Sequence, residues 1–219
     1  MRRFVPPDSD VRLRTDATPY MSPCGSHDDD IWVFGYGSLM WRPGFPWLER
    51  VPARLVGLHR GLCVYSFVHR GTPERPGLVL GLDRGGACRG IAYRVAAAER
   101  EEVVSYLRAR EQVTSVYLET MRRVTLAAQP PREVTALTYV VDRAHVQYAG
   151  RLDVERQVEL VLQGHGRSGR NRDYVLSTVA EIEAQGCHDV GLHAIARRLQ
   201  DIAGTSPREE GDQGRNEGP

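Results

Sequence analysis

At 219 residues the chain can bury a core in one domain of ordinary size, or at most two. Hydrophobic content of 41% and charged content of 26% are those of a soluble globular protein, and a net charge of +1 argues against a nucleic-acid-binding surface. All 29 basic residues are arginine, which excludes Schiff-base lysine chemistry and a Walker-type phosphate lysine.

Residues 1–30 carry prolines, the acidic run Asp28-Asp29-Asp30 and no clear period, and read as a flexible arm. No apolar run approaches the length that spans a bilayer, and no apolar stretch follows the N-terminal arginines as in a secretory signal. The expected location is the cytoplasm, with no membrane partner. The ordered domain is expected at 31–203, followed by a polar, glycine-rich tail at 204–219 that reads as disordered.

Strand signals come first, at 31–36, 53–58, 61–67, 77–82 and 87–95. The turn signals between them are Trp41-Arg42-Pro43-Gly44, Arg70-Gly71-Thr72-Pro73, Pro76-Gly77 and Gly85-Gly86. A helix is predicted from about Ala97 to Gln112, then strands near 114–126 and 133–142 joined through Pro130-Pro131. The end is helical: Asp153 can cap a helix that Gly164 closes, Asn171 one that Gly186 closes, and Asp189 can start a third. Strands followed by helices point to an α+β fold, with a mostly antiparallel or mixed sheet closed or covered by helices.

The first candidate site is Phe34-Gly35-Tyr36-Gly37-Ser38-Leu39-Met40, directly after the apolar run Ile31-Trp32-Val33. Two glycines where a strand ends permit positive φ or close backbone approach, so several N–H groups can converge on one anionic or carbonyl oxygen. The Rossmann fingerprint does not fit, because Met40 stands at the third-glycine position and Trp41-Arg42-Pro43 blocks a helix start. Ser38 is not in a nucleophile elbow, since Leu39-Met40 follows it. A purely structural turn is the competing reading.

The second candidate is Glu111. In the helix at 97–112, Val104, Leu107 and Glu111 recur at i, i+3, i+7, and at about 100° per residue Glu111 points within roughly 20° of Val104. A carboxylate thus ends the apolar stripe, where burial and the helix dipole both raise its pKa; Arg108 and Arg110 point elsewhere but can partly offset both effects. Such a group suits general-base work near neutrality; a core-edge glutamate paired with an arginine is the alternative.

Two loops have weaker signals. In His69-Arg70-Gly71-Thr72-Pro73-Glu74-Arg75-Pro76-Gly77, Arg70 or Arg75 can bind a carboxylate bidentately, or the loop is merely solvated. The basic, glycine-rich stretch 164–174 can receive an anion at a helix N-terminus or serve only as a connector. Cys24, Cys63, Cys88 and Cys187 show no CxxC spacing, and Cys63 and Cys88 sit in apolar runs that read as buried thiols.

In order along the chain, FGYGSLMWRPGF at 34–45, HRGTPERPG at 69–77, GIAYRV at 90–95, YLRAREQVTSVY at 106–117, VDRAHVQYAG at 141–150 and SGRNRDYV at 168–175 together resemble the ChaC family of glutathione-specific γ-glutamylcyclotransferases. The resemblance covers about 31–203. It implies a small mixed β-barrel flanked by helices, and cleavage of glutathione into 5-oxoproline and cysteinylglycine without water, cofactor or metal, by a protein expected to be a monomer. It assigns Glu111 as general base, Tyr36, Gly37, Ser38 and Leu39 as the cradle for the γ-glutamyl group, and Tyr117 to the pocket wall; Arg70 is the candidate for a substrate carboxylate. Ser115 and Val116 stand where the family often carries glycine, and Arg170 replaces a proline of its Ser-Gly-Pro-Asn. The rival readings are a cyclotransferase for other γ-glutamyl amines or dipeptides, a thiol hydrolase pairing Cys63 or Cys88 with His59 or His69, and a non-catalytic γ-glutamyl-binding protein.

Overall fold

The computed structural model of the chain describes residues 29–111 and 115–205. Five strands close into a barrel: β1 (Ile31–Gly35), β2 (Glu49–Ser66), β3 (Gly77–Val95), β4 (Tyr117–Leu126) and β5 (Arg132–Val141). The order around the barrel is β1-β3-β2-β4-β5, and β1 closes it by pairing antiparallel with β3 and parallel with β5. Helix α1 (Arg100–Glu111) sits between β3 and β4 in the chain; α2 (Val154–Gln163), α3 (Asn171–Ala184) and α4 (Val190–Thr205) follow the barrel, pack on one another and cover β2 and β3. Between α2 and α3 lies a two-residue pair of strands, β6 (His165–Gly166) and β7 (Gly169–Arg170). The class is α+β, as the pattern of strands then helices implies. No helix among the described residues is long and apolar enough to cross a membrane.

The strand signals at 53–58 and 61–67 belong to one strand, and so do those at 77–82 and 87–95. Gly85-Gly86 does not reverse the chain. These residues have φ of 100° and 66° and lie opposite Gly57, whose φ is 90°, at a register shift between Val56 and Leu58. Glycines in this conformation build a bulge that bends a paired strand without ending it. The bend lets two long antiparallel strands contribute to a small closed barrel. Strand β4 starts at Tyr117 rather than 114; residues 112–114 lie outside those described.

The helix ends follow their caps. Asp153 accepts the N–H of Arg156 at 2.8 Å, and Asp189 that of Leu192 at 3.2 Å. Gly186 has φ of 70° and ends α3: its N–H reaches the Glu183 carbonyl and that of Cys187 the Ile182 carbonyl, closing a Schellman motif. Asn171 is different. Its side chain does not cap α3, whose preceding residue is Arg170. The fully buried carboxamide instead accepts the Leu78 N–H at 2.6 Å and donates to the Leu78 carbonyl at 2.7 Å. Asn171 thus stands in for a neighbouring strand at the start of β3, which outweighs a cap that water could replace.

Gly164 ends α2 in an extended conformation, not a left-handed one. A Cβ there would lie 2.6 Å from the Arg70 carbonyl oxygen and 2.9 Å from Gly77 Cα, and one on Gly77 would lie 2.2 Å from the same oxygen. These glycines let three backbone segments touch beside the Asn171 clamp. Of the two terminal segments, Asp29 and Asp30 alone are described at the front and Gly204 and Thr205, which continue α4, at the back. Asp30 is held by the Arg94 guanidinium at 3.0 Å and the Ala97 N–H at 3.1 Å.

Gly77→Ala should destabilise the protein by about 3 kcal/mol or more, because backbone must move to admit the methyl group. Gly191→Ala on α4, where the new Cβ meets only Asp189 Oδ1 at 3.6 Å, should leave stability unchanged or raise it by up to about 1 kcal/mol. Urea unfolding of the two variants measures both.

Candidate active site

A cavity of about 110 Å³ lies where the end of β1, the start of β3 and the start of β4 approach the last residue of α1. It is lined by Phe34, Tyr36, Gly37, Ser38, Leu39, Val79, Leu80, Glu111, Tyr117, Tyr139 and Tyr174. The structure therefore brings together the glycine loop, Glu111 and Tyr117. Among the described residues that line it, Glu111 is the single carboxylate in a wall otherwise made of aromatic rings, aliphatic side chains and the loop backbone, with neither imidazole nor thiol. That donor set does not suit a metal ion.

Helix α1 seats Glu111 by burying Val103 and Leu107, which precede it at i−8 and i−4, against the barrel. Burial raises the Glu111 carboxyl above the ordinary carboxylate range, and the neighbouring Arg110 guanidinium opposes that rise. Arg110 does not point away as the helical spacing implies. Its Nε lies 3.3 Å from Glu111 Oε1. The other guanidinium nitrogens donate to Ser38 Oγ, the Arg42 carbonyl and the Tyr106 hydroxyl, each at 2.8 Å. One long side chain at the C-terminal end of α1 thus ties the Glu111 carboxylate to the loop. Arg108 does turn away, making a bidentate pair with Glu119 at 2.8 Å for both bonds.

Neither loop glycine has a positive φ. Gly35 is required for contact: a Cβ there would lie 2.8 Å from Leu39 Cβ. Gly37 has φ of −126°, and a Cβ would meet Leu80 Cδ1 at an ordinary 3.6 Å across the cavity. After Gly37 the chain makes one 3₁₀ turn, Ser38–Met40, opened by the Met40 N–H to the Gly37 carbonyl at 2.9 Å. The N–H groups of Ser38 and Leu39 have no acceptor within such a turn and are available to a ligand. Buried Arg60 supports the loop, donating to the Tyr36 carbonyl at 2.7 Å and the Arg89 carbonyl at 2.7 Å, with its Nε 3.5 Å from Asp189. The Tyr93 hydroxyl lies 3.1 Å from the Leu39 carbonyl and 2.8 Å from that of Met40.

Tyrosines make the rest of the rim. Tyr117 donates to the Leu80 carbonyl at 2.6 Å and Tyr174 accepts the Leu80 N–H at 3.3 Å, so this piece of β3 is held from both sides. Burial raises the hydroxyl pKa values of Tyr36 and Tyr117 well above the usual value, and neighbouring acidic groups including Glu111 add to it. Both stay protonated donors at neutral pH. Arg70 is not among the lining residues. Its guanidinium lies 5.1 Å from the centre of the Tyr174 ring and donates to the Ser168 carbonyl. Arg60 and Tyr139 escaped the sequence reading, which held Arg110 only as a charge near Glu111 and Tyr174 only as the end of the 164–174 stretch. For Arg60 a signal existed: Leu58, Arg60 and Leu62 share the inward face of β2 at a period of two.

A larger cavity, about 510 Å³, lies elsewhere and includes His59, Cys63 and Asp83 in its wall. It holds no part of the glycine loop and not Glu111. Burial, reinforced by Asp83, pushes the Cys63 thiol up to about 12, and burial pushes Cys88 up to about 11. His59 Nδ1 faces the Gly85 carbonyl and His69 Nδ1 faces Ser168 Oγ. These thiols are inert, not activated nucleophiles.

The ChaC-like protein family model matches residues 31–201. The chain belongs to the ChaC-like family. Its relatives include the glutathione-specific γ-glutamylcyclotransferase of Escherichia coli K12, 34% identical over 170 residues, a match covering 78% of this chain and 73% of the relative. The human glutathione-specific γ-glutamylcyclotransferase 1 is 33% identical over 179 residues, covering 80% and 79%. The solved structure of a yeast γ-glutamyl cyclotransferase specific to glutathione superposes with a TM-score of 0.68 at 23% identity, over 79% of this chain and 99% of the yeast chain. That likeness shows that this ChaC-like chain shares the γ-glutamylcyclotransferase fold. Ser115, where the family often has glycine, has φ of 56°, a conformation that favours glycine.

Because Arg110 supplies the charge that opposes the Glu111 rise, Arg110→Gln should move the Glu111 titration midpoint further upward. Carbon-detected NMR of the labelled glutamate carboxyl reads it directly.

Proposed function

We propose that this chain is a γ-glutamylcyclotransferase that converts glutathione into 5-oxoproline and cysteinylglycine, with Glu111 as general base. One observation carries the assignment: a water-poor carboxylate with raised proton affinity faces a glycine loop across a small cavity, on the barrel of a family whose curated relatives bear this activity in their names. A volume of about 110 Å³ is below the roughly 300–1,000 Å³ of pockets that enclose whole drug-sized ligands. It suits the γ-glutamyl end of the tripeptide, with cysteinylglycine lying outward.

The γ-glutamyl group brings its own nucleophile. Its α-amine attacks the γ-carbonyl carbon, the lactam C–N bond forms, and the bond to the cysteinyl nitrogen breaks. No water is consumed. Because both reacting groups belong to one molecule, holding it folded supplies much of the acceleration. The amine must first lose a proton, and an α-ammonium has a reference pKa near 8. Glu111 takes that proton and returns it to the departing nitrogen as the C–N bond breaks; the second proton that the ring nitrogen sheds as the lactam forms passes to the released amine, which leaves as an ammonium. Raising the carboxyl pKa narrows the gap between base and ammonium, which favours the transfer. The N–H groups of Ser38 and Leu39 receive the α-carboxylate or the developing oxyanion. Tyr36 and Gly37 shape the cradle, Tyr117 fixes its Leu80 wall, and Arg70 positions Tyr174. The free, buried state of Cys63, Cys88 and Cys187 supports action in a reducing cytoplasm.

Glu111→Gln should lower turnover of glutathione by roughly 10²–10⁴. Its effect on stability has the opposite sense. A carboxyl whose pKa is raised by folding binds its proton more tightly in the folded chain, so its contribution to stability falls as pH rises from the ordinary carboxylate range through the raised value. The glutamine variant lacks that penalty and should melt at the same or a higher temperature at neutral pH. Near-native turnover in a folded Glu111→Gln protein would remove Glu111 from the mechanism.

A further inference from the structure

Away from the cavity, at the corner between α3 and α4, three side chains converge that the cyclotransferase chemistry does not use. Glu183, His188 and His193 recur at a spacing of five residues. Each offers a ligand atom, and these atoms all lie within 4.8 Å of one another. Glu183 is in the last turn of α3, His188 in the connection and His193 in the first turns of α4. The frame that holds them is fixed by the Gly186 Schellman motif and by the Asp189 cap. We propose that this corner binds a divalent transition-metal ion of the zinc type, through one carboxylate and two imidazoles.

The orientation of His193 is the main argument. Its Nδ1 lies 2.6 Å from the Asp189 carbonyl oxygen, which can only accept, and 3.3 Å from the Asp189 N–H; the much shorter contact to the carbonyl decides the tautomer, with the hydrogen on Nδ1. In the neutral ring the other nitrogen, Nε2, then presents a lone pair, and it points at Glu183 Oε1 only 2.7 Å away. Two acceptors at that distance require a positive centre between them. A proton serves two atoms, but a third donor is present: the His188 ring lies beside that of His193, 3.9 Å between centroids with the planes tilted by 42°. A metal ion uses all three. An imidazole whose second nitrogen is tied to a backbone carbonyl is also the usual arrangement for a metal-ligating histidine, because that bond sets the tautomer and aims the ring.

Two nitrogens and an oxygen form the donor set of tetrahedral zinc sites with one open position, filled by water. Bonds of about 2.0–2.1 Å place ligand atoms about 3.3 Å apart. Glu183 Oε1 must therefore back away slightly from His193, and the remaining atoms must draw together. Glu183 and His188 are exposed and have room to do so, while buried His193 stays as the anchor. Binding would cross-link the end of α3 to the start of α4.

The test uses the full-length chain without a histidine tag, stripped with a chelator and dialysed against zinc. Wild type should retain one equivalent of zinc. His188→Ala and Glu183→Gln should each weaken retention at least about tenfold, and a variant changed at all three positions should lose it. Cobalt, used as a spectroscopic substitute, should give visible d–d absorption in wild type and not in His188→Ala. Because His193→Ala opens a buried site, the exposed-residue variants decide the matter, with circular dichroism melts confirming that they are folded. Zinc retention no greater in wild type than in the triple variant would overturn the proposal, as would retention unaffected by Glu183→Gln and His188→Ala.

Discussion

A carboxylate kept from water beside one guanidinium is the constraint around which this molecule is arranged. In bulk water a glutamate is far too weak a base to draw a proton from an ammonium group. Removing it from water raises its proton affinity, and a nearby cation limits the rise so that the group still ionises. Both influences reach Glu111 through its place at the end of α1. Val103 and Leu107 press the helix on the barrel, and Arg110 curls back from the preceding position. Moving Glu111 one residue along the helix would turn it about 100° away from the cavity.

The loop facing that carboxylate is held rigid by arginine and tyrosine side chains bonded to its backbone. Arg60 grips the Tyr36 carbonyl, Arg110 the Ser38 hydroxyl, and Tyr93 the carbonyls at 39 and 40. A guanidinium donates in several directions from one plane, so one side chain can fasten two or three segments. In a chain without lysine this device recurs: Arg94 joins Asp30 to Glu49, and Arg143 holds Asp83. The loop's N–H groups are thereby fixed in position, the preorganisation from which the proposed electrostatic catalysis would gain most.

Periodicity carried the helix to Glu111, and the caps at Asp153, Asp189 and Gly186 marked the helical end of the chain. Strand continuity was not legible, because Gly57, Gly85 and Gly86 look like turn residues when taken alone. Only their alignment across β2 and β3 makes them a bulge. Asn171 stood at a helix start, but its carboxamide is spent on β3, a partner 93 residues away. Arg70 lay in a loop suited to carboxylate binding, and its guanidinium lies over the Tyr174 ring, outside the residues that line the cavity. The partial offset by Arg110 was legible, but its reach to the loop was not, because helical angles describe where a side chain leaves the axis and not where a flexible guanidinium ends. These failures share a cause: each depends on contacts between residues distant in sequence.

Attack by the substrate's own amine, with water taking no part, is the core of the account. Incubating the protein with glutathione in ¹⁸O-labelled water and analysing the products by mass spectrometry tests it most directly. The account predicts 5-oxoproline without label, together with cysteinylglycine. Free glutamate carrying ¹⁸O in its γ-carboxylate would contradict it.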